Sequence, residues 1–163
     1  MGDKIRYTHN HSVGDKKFDP RPFPQLRYNL PMAKLFITLA SLSAMLAVVF
    51  GAFGAHGLRN RLDDYAMGVF ETAVQYHFYH SLALLAVGLL ALSQPQTALL
   101  KSSGWLFCIG ILVFSGSLYL LGITGVRWLG AITPLGGLAF IAGWGCLAAT
   151  GWKLLVLSLI HIS

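Results

Sequence analysis

Four apolar stretches dominate the chain: Leu35 to Ala55, His77 to Leu92, Gly104 to Ile123 and Leu129 to Trp152. Each reaches or approaches the roughly 20 residues that an α-helix needs to cross the hydrocarbon core of a bilayer. In lipid every backbone N–H and C=O must be satisfied internally, so such stretches fold as helices. Charged residues make up 11% of the chain, against roughly 25% in soluble domains, so a water-facing fold lacks the polar surface to cover this much apolar area. The expectation is an all-α membrane protein with four transmembrane helices in two antiparallel hairpins.

The connections refine that outline. Ala40, Ala44, Ala47, Gly51 and Ala55 recur at steps of three and four along the first span, a small-residue face that lets helix backbones approach closely in lipid. The stretch "GAFGAHGLRNRLDD" then reads as an exit turn, with Gly57 suited to a left-handed C-terminal cap. His56, Arg59 and Arg61 lie near the exposed carbonyls, where the helix dipole favours cations. Leu58, Leu62, Tyr65, Val69 and Ala73 repeat at helical spacing after it, opposite Arg59, Asn60, Asp63, Asp64 and Glu71. That pattern predicts an in-plane amphipathic helix between spans one and two, bending or running directly into the second span. In "QYHFYH" the aromatic residues suit the interfacial belt. "TGVRWLG" is short enough to force a hairpin between spans three and four, and Pro134, Gly136, Gly137, Gly143 and Gly145 favour tight packing of the fourth.

Of the twelve Lys and Arg residues, seven fall in the first 34 positions. A basic stretch abutting a span orients a protein or touches anionic lipid, and no base-reading motif accompanies it, so nucleic acid is not an expected partner. The expected partners are the lipid bilayer and a homo-oligomer or membrane-complex partner. With the N-terminal segment counted, nine basic residues flank the cytoplasmic side against three opposite, which predicts both termini in the cytoplasm of a bacterial inner membrane. Counted from Met32 the tally is three against three. Residues 1–31 are polar, hold four of the six prolines and carry no apolar period, so they read as a disordered extension or, the favoured alternative, as the product of a start set before Met32. The membrane domain covers 32–156. The ending "LSLIHIS", 157–163, is similar to the translation of a transposase mosaic-end adapter, with an ordinary helix end as the alternative; His161 is given no role. Cys108 and Cys146 sit inside spans as small packing groups, and their spacing supports no disulfide framework.

"GAFGAHGL", "FETAVQYHFYH", "FSGSLYLLGITG" and "GAITPLGGLAFIAGW" together resemble the small four-span proteins of the YwdK/YgdD type, related to transmembrane protein 256 of animals. The resemblance covers roughly Met32 to Trp152. It implies a four-span inner-membrane protein without an established activity, and it carries over no catalytic residue. His56, Glu71 and His80 stand within its motifs.

The chemically able side chains near the bundle are His56, Glu71, Gln75, His77 and His80. Glu71 and Gln75, four apart, share one helix face; His77 and His80, three apart, share another. Two histidines and a carboxylate could hold a divalent metal, but a defined third ligand is missing, so no metal and no cofactor is assigned. The plainer expectation is that these groups satisfy one another and the backbone at the interface, with Glu71 paired to His56 or to an arginine of the exit turn. The span serines Ser41, Ser43, Ser115 and Ser117 have no histidine at a recognisable spacing and should hydrogen-bond within or between helices. No Asp, Glu, Lys or Arg falls inside the four apolar stretches, which weighs against transport. The leading expectation is a non-enzymatic packing or interaction partner. The alternatives are an oligomeric small-molecule or ion transporter, and an interfacial cofactor, quinone or lipid-headgroup site around His56, Glu71 and His80.

Overall fold

A computed structural model describes residues 30–93 and 97–160; the expected N-terminal extension up to residue 29 and His161 lie outside the described residues. Four helices long and apolar enough to span a membrane make up the fold. They are α1 (Leu30–Leu58), α2 (Asp64–Ser93), α3 (Ala98–Thr124) and α4 (Leu129–Ile160). The pairing is α1 with α2 and α3 with α4, the two hairpins expected. α2 touches both α1 and α3, while α1 lies at the edge of the bundle.

Small residues set the closest approaches. A Cβ on Gly88 of α2 would fall 2.9 Å from the backbone nitrogen of Ile37 in α1, and one on Gly136 of α4 would strike the backbone nitrogen of Phe114 in α3. The buried face of α1 runs through Ala33, Phe36, Ala40, Ala47, Gly54 and Leu58. Of the expected small-residue face, Ala40 and Ala47 are buried, Ala44 and Gly51 half-buried and Ala55 exposed, because Phe70 of α2 seats itself at Gly54 instead. Hydroxyls bridge the second hairpin: Ser103 Oγ donates to the Gly143 carbonyl at 2.9 Å, and Ser117 and Thr133 Oγ atoms lie 2.8 Å apart.

Three local expectations are corrected. The amphipathic segment after α1 is not a separate in-plane element. Residues 59–63 make a turn, and from Asp64 onward the segment runs directly into span two as one 30-residue helix. Of its apolar period Ala73 is buried, Leu62 and Val69 are half-buried and Tyr65 is exposed, while Phe70 beside it seats against Gly54 of α1. Gly57 is not a left-handed cap. It belongs to a π-helical turn, Gly54–Leu58, where its missing Cβ makes room for the Phe53 ring; among the described residues the glycine with positive φ is Gly125, at +70°, which ends α3. Finally, with α2 beginning at Asp64, Glu71 falls inside the second span.

α3 also contains a π-helical turn, Ile111–Ser115, at its midpoint. Above and below this level lie two apolar clusters. One is built on Phe36, Leu84, Leu100 and Phe107, the other on Ala73, Leu118 and Leu121.

Candidate functional site

The longer α2 moves the histidines. His77 lies thirteen residues from the start of α2, about 20 Å along it and close to the midpoint of this 30-residue helix. Ser43 of α1, which runs antiparallel to α2, stands opposite His77 and in contact with it, fifteen residues from the Leu58 end of α1. The helix is continuous from Asp64 through "DYAMGVFETAV" although that stretch carries two carboxylates, and the span has the lowest hydropathy of the four.

His77 and His80 enter different surroundings. His77 is buried, with Nε2 2.9 Å from Ser43 Oγ and Nδ1 3.2 Å from the Tyr119 hydroxyl. Ser43 Oγ lies 2.7 Å from Ser81 Oγ, and Ser81, one turn after His77, donates to the His77 carbonyl at 2.7 Å. Three helices thus contribute to one polar cluster: Ser43 from α1, His77 and Ser81 from α2, Tyr119 from α3. His80 points toward α4. Its Nδ1–H donates to the Tyr76 carbonyl at 2.8 Å, its Nε2 accepts from Trp144 Nε1 at 3.3 Å, and its ring stacks on Phe140 with centroids 3.4 Å apart. Both of its nitrogens are occupied, so His80 acts as a packed aromatic with a polar rim.

Around Ser43, His77 and Tyr119 a groove of about 470 Å³ opens between α1 and α3, floored by α2. Its walls include Leu39, Leu46, Phe50, Leu84, Cys108 and Ile111. Leu42, Leu46 and Leu112 on its rim are exposed, so it opens toward lipid. One end is shut by Phe36, whose ring lies edge-on to Trp105 and fills the space where Gly104 lacks a side chain. The other is shut by Phe50 against Tyr119, centroids 4.8 Å apart.

The remaining candidates lie elsewhere. His56 is exposed in the π turn after α1. Glu71 and Gln75, also exposed, line a smaller groove of about 200 Å³ with Gly51, Gly54 and Ala55. The expected pairing of Glu71 with His56 or an exit-turn arginine is not formed among the described residues. Seating Phe70 into α1 turns its neighbour Glu71 outward, and no His, Cys, Asp or Glu trio converges among the described residues. Ser115, expected to hydrogen-bond, is buried without a protein partner for its hydroxyl. Ser81 and Tyr119 were missed as site residues, and Ser43 was expected only to hydrogen-bond within or between helices, which it does, to His77 and Ser81. Ser81 carried a signal in its four-residue step from His77; Tyr119, on the next span, carried none.

The fold defines a class: an all-α membrane protein with four helices able to span the bilayer, here with a polar cluster beside an apolar groove. A family model described as "Protein of unknown function (DUF423)" matches residues 50–137, and the chain belongs to that family. The UPF0382 membrane protein SH2409 of Staphylococcus haemolyticus is 49% identical over 120 residues, covering 74% of this chain and 97% of the relative. The UPF0382 membrane protein YwdK of Bacillus subtilis is 50% identical over 111 residues, covering 68% of this chain and 90% of the relative. The resemblance to YwdK-type proteins is thereby borne out. No solved structure matches the chain.

Proposed function

We propose that this protein is a non-enzymatic binding protein of the bacterial inner membrane, both termini cytoplasmic, that takes an apolar molecule with one hydrogen-bonding group out of the bilayer. The observation that supports it is the union of two features in one place: a groove of about 470 Å³ with exposed apolar rims and, in its wall, inside three of the four spans, the side chains of Ser43, His77 and Tyr119. The volume falls in the roughly 300–1,000 Å³ range of ligand pockets, which are mostly apolar with a few placed polar groups. Polar side chains at this depth are costly and are found where they serve a site. Ser43 Oγ lies within reach of His77 Nε2, as a nucleophile would of a base, but Ser81 Oγ also holds it at 2.7 Å. Ser81 is in turn committed to the His77 carbonyl, and that shared bonding supports binding over catalysis. Compared with the interfacial site expected around His56, Glu71 and His80, this reading moves the site to mid-membrane and exchanges His80 for His77.

Two C16 photoprobes with a mid-chain diazirine, one ending in a hydroxyl and one in a methyl ketone, test the reading on nanodisc-embedded protein. Saturable crosslinks from at least one probe should map to residues 39–50 and 105–119. Gly116→Leu should remove them, because Gly116 lines the groove and a side chain there enters open space. Diffuse labelling insensitive to Gly116→Leu would overturn it.

A further inference from the structure

The polar wall of the groove admits one proton order, and that order decides which ligands can be held, on the reading that the groove is a binding site. A carbonyl has no proton to give, so the contact between Ser81 Oγ and the His77 carbonyl uses the Ser81 hydroxyl proton. With that proton committed, the Ser43–Ser81 contact takes the Ser43 proton. Ser43 then has none left, and the contact with His77 is donated by Nε2–H. A neutral imidazole carries one ring proton, so Nδ1 is a bare acceptor and the Tyr119 hydroxyl donates to it. All four protons are used inside the cluster. A second lone pair on Ser43 Oγ and the lone pairs of Tyr119 Oη remain for the groove. The groove's other N–H and S–H groups, Trp105 and Cys108, are about 21 and 16 Å along α3 from Tyr119.

We infer that the groove selects long-chain molecules whose polar group is a hydrogen-bond donor, a hydroxyl above all, and rejects those that carry only a carbonyl. A hydroxyl meets an unused lone pair in a water-poor setting. A ketone or a quinone oxygen meets lone pairs with lone pairs and stays unsatisfied, which in an apolar site costs more than a missing bond in water. A quinone is therefore the wrong partner for this groove.

The same accounting predicts how to reverse the selection. In Ser43→Ala, His77 either keeps an unpartnered Nε2–H or moves its proton to Nδ1 and releases the Tyr119 hydroxyl. Either way one donor turns to the groove. In Ser81→Ala the Ser43 proton loses its acceptor and turns to the groove as well. The experiment is competition against the hydroxyl photoprobe in nanodiscs, with 1-hexadecanol, farnesol and 2-hexadecanone compared at equal mole fraction in lipid. The alcohols should displace label from the wild-type groove at about tenfold lower mole fraction than the ketone, the ratio worth about one hydrogen bond. Whichever alcohol competes better tells straight-chain from isoprenoid ligands. Ser43→Ala and Ser81→Ala should each bring the ratio close to one. Groove labelling with the ketone equal or superior in the wild type overturns the donor assignment and leaves the binding reading standing. A preference unchanged in both variants also overturns it. Absence of groove labelling by either photoprobe overturns the binding reading and the assignment with it. The wild-type comparison stands even if either variant fails to fold.

Discussion

Gly136→Ala should loosen the second hairpin, while the same change nine residues on should not. A methyl group on Gly136 would lie 2.7 Å from the Cα of Phe114 and closer still to its backbone nitrogen. Carbon atoms pack best at about 3.5–4.0 Å, so α4 and α3 must separate by about 1 Å, and backbone cannot swing aside as a side chain does. Overpacking of this kind costs about 1–3 kcal/mol. Replacing a helical glycine with alanine returns about 0.5–1 kcal/mol of backbone entropy, which leaves a net loss of about 1–2 kcal/mol. At Gly145, on the same helix, a Cβ meets nothing within 4 Å, so alanine there should keep the gain and stabilise by about 0.5 kcal/mol. Unfolding of each variant by SDS titration in mild micelles, followed by helical circular dichroism, measures the difference. If Gly136→Ala were as stable as Gly145→Ala, α3 and α4 would not approach as described.

Four further outcomes follow from the same geometry. Ser115→Ala removes a buried hydroxyl that has no protein partner and should stabilise by about 1 kcal/mol; a lower midpoint in the same titration would show that the hydroxyl is engaged. Trp144→Phe leaves His80 Nε2 without its donor and should cost about 1 kcal/mol, read as a midpoint shift larger than that of Trp152→Phe on the exposed end of α4. Glu71→Gln and His56→Ala should be fully additive in a double-mutant cycle, since the two side chains do not meet; a coupling above about 0.5 kcal/mol would contradict the arrangement. A cysteine at Gln96, with Cys108 and Cys146 replaced, should react with an impermeant maleimide only from the cytoplasmic side, and labelling from outside would reverse the proposed orientation.

What the sequence made legible was whatever depends on one helix at a time. Apolar runs located all four spans, and short loops paired them, because both follow from the bilayer thickness and the reach of the chain. α2 begins thirteen residues before its apolar run, because the amphipathic segment continues into span two without a break and neighbouring helices receive Phe70 and Ala73. Periodicity within the segment did not show which helices those would be, and so did not show the site. The cluster depends on which residue of α1 stands opposite His77 and on how α3 delivers Tyr119, relations between helices for which one sequence holds no periodic mark. Ser115 was misjudged for a related reason: it is the last residue of the π turn of α3, a change of winding that no periodic pattern in the sequence marks.

That turn gives α3 a property its neighbours lack over the same depth. Five residues, Ile111–Ser115, occupy a stretch of axis that α-helical winding would fill with fewer. Each residue advances the winding by about 100°, so the turn works as a phase adjuster between the two halves of the span. Deleting one residue from it would leave Gly104 and Phe107 where they are and swing everything beyond it by about a quarter turn. Tyr119 would leave His77, and Ser117 would leave Thr133. The number of residues in the turn is therefore a constraint of its own, separate from what Ile111 and Phe114 contact: the spacing fixes the phase of everything beyond it.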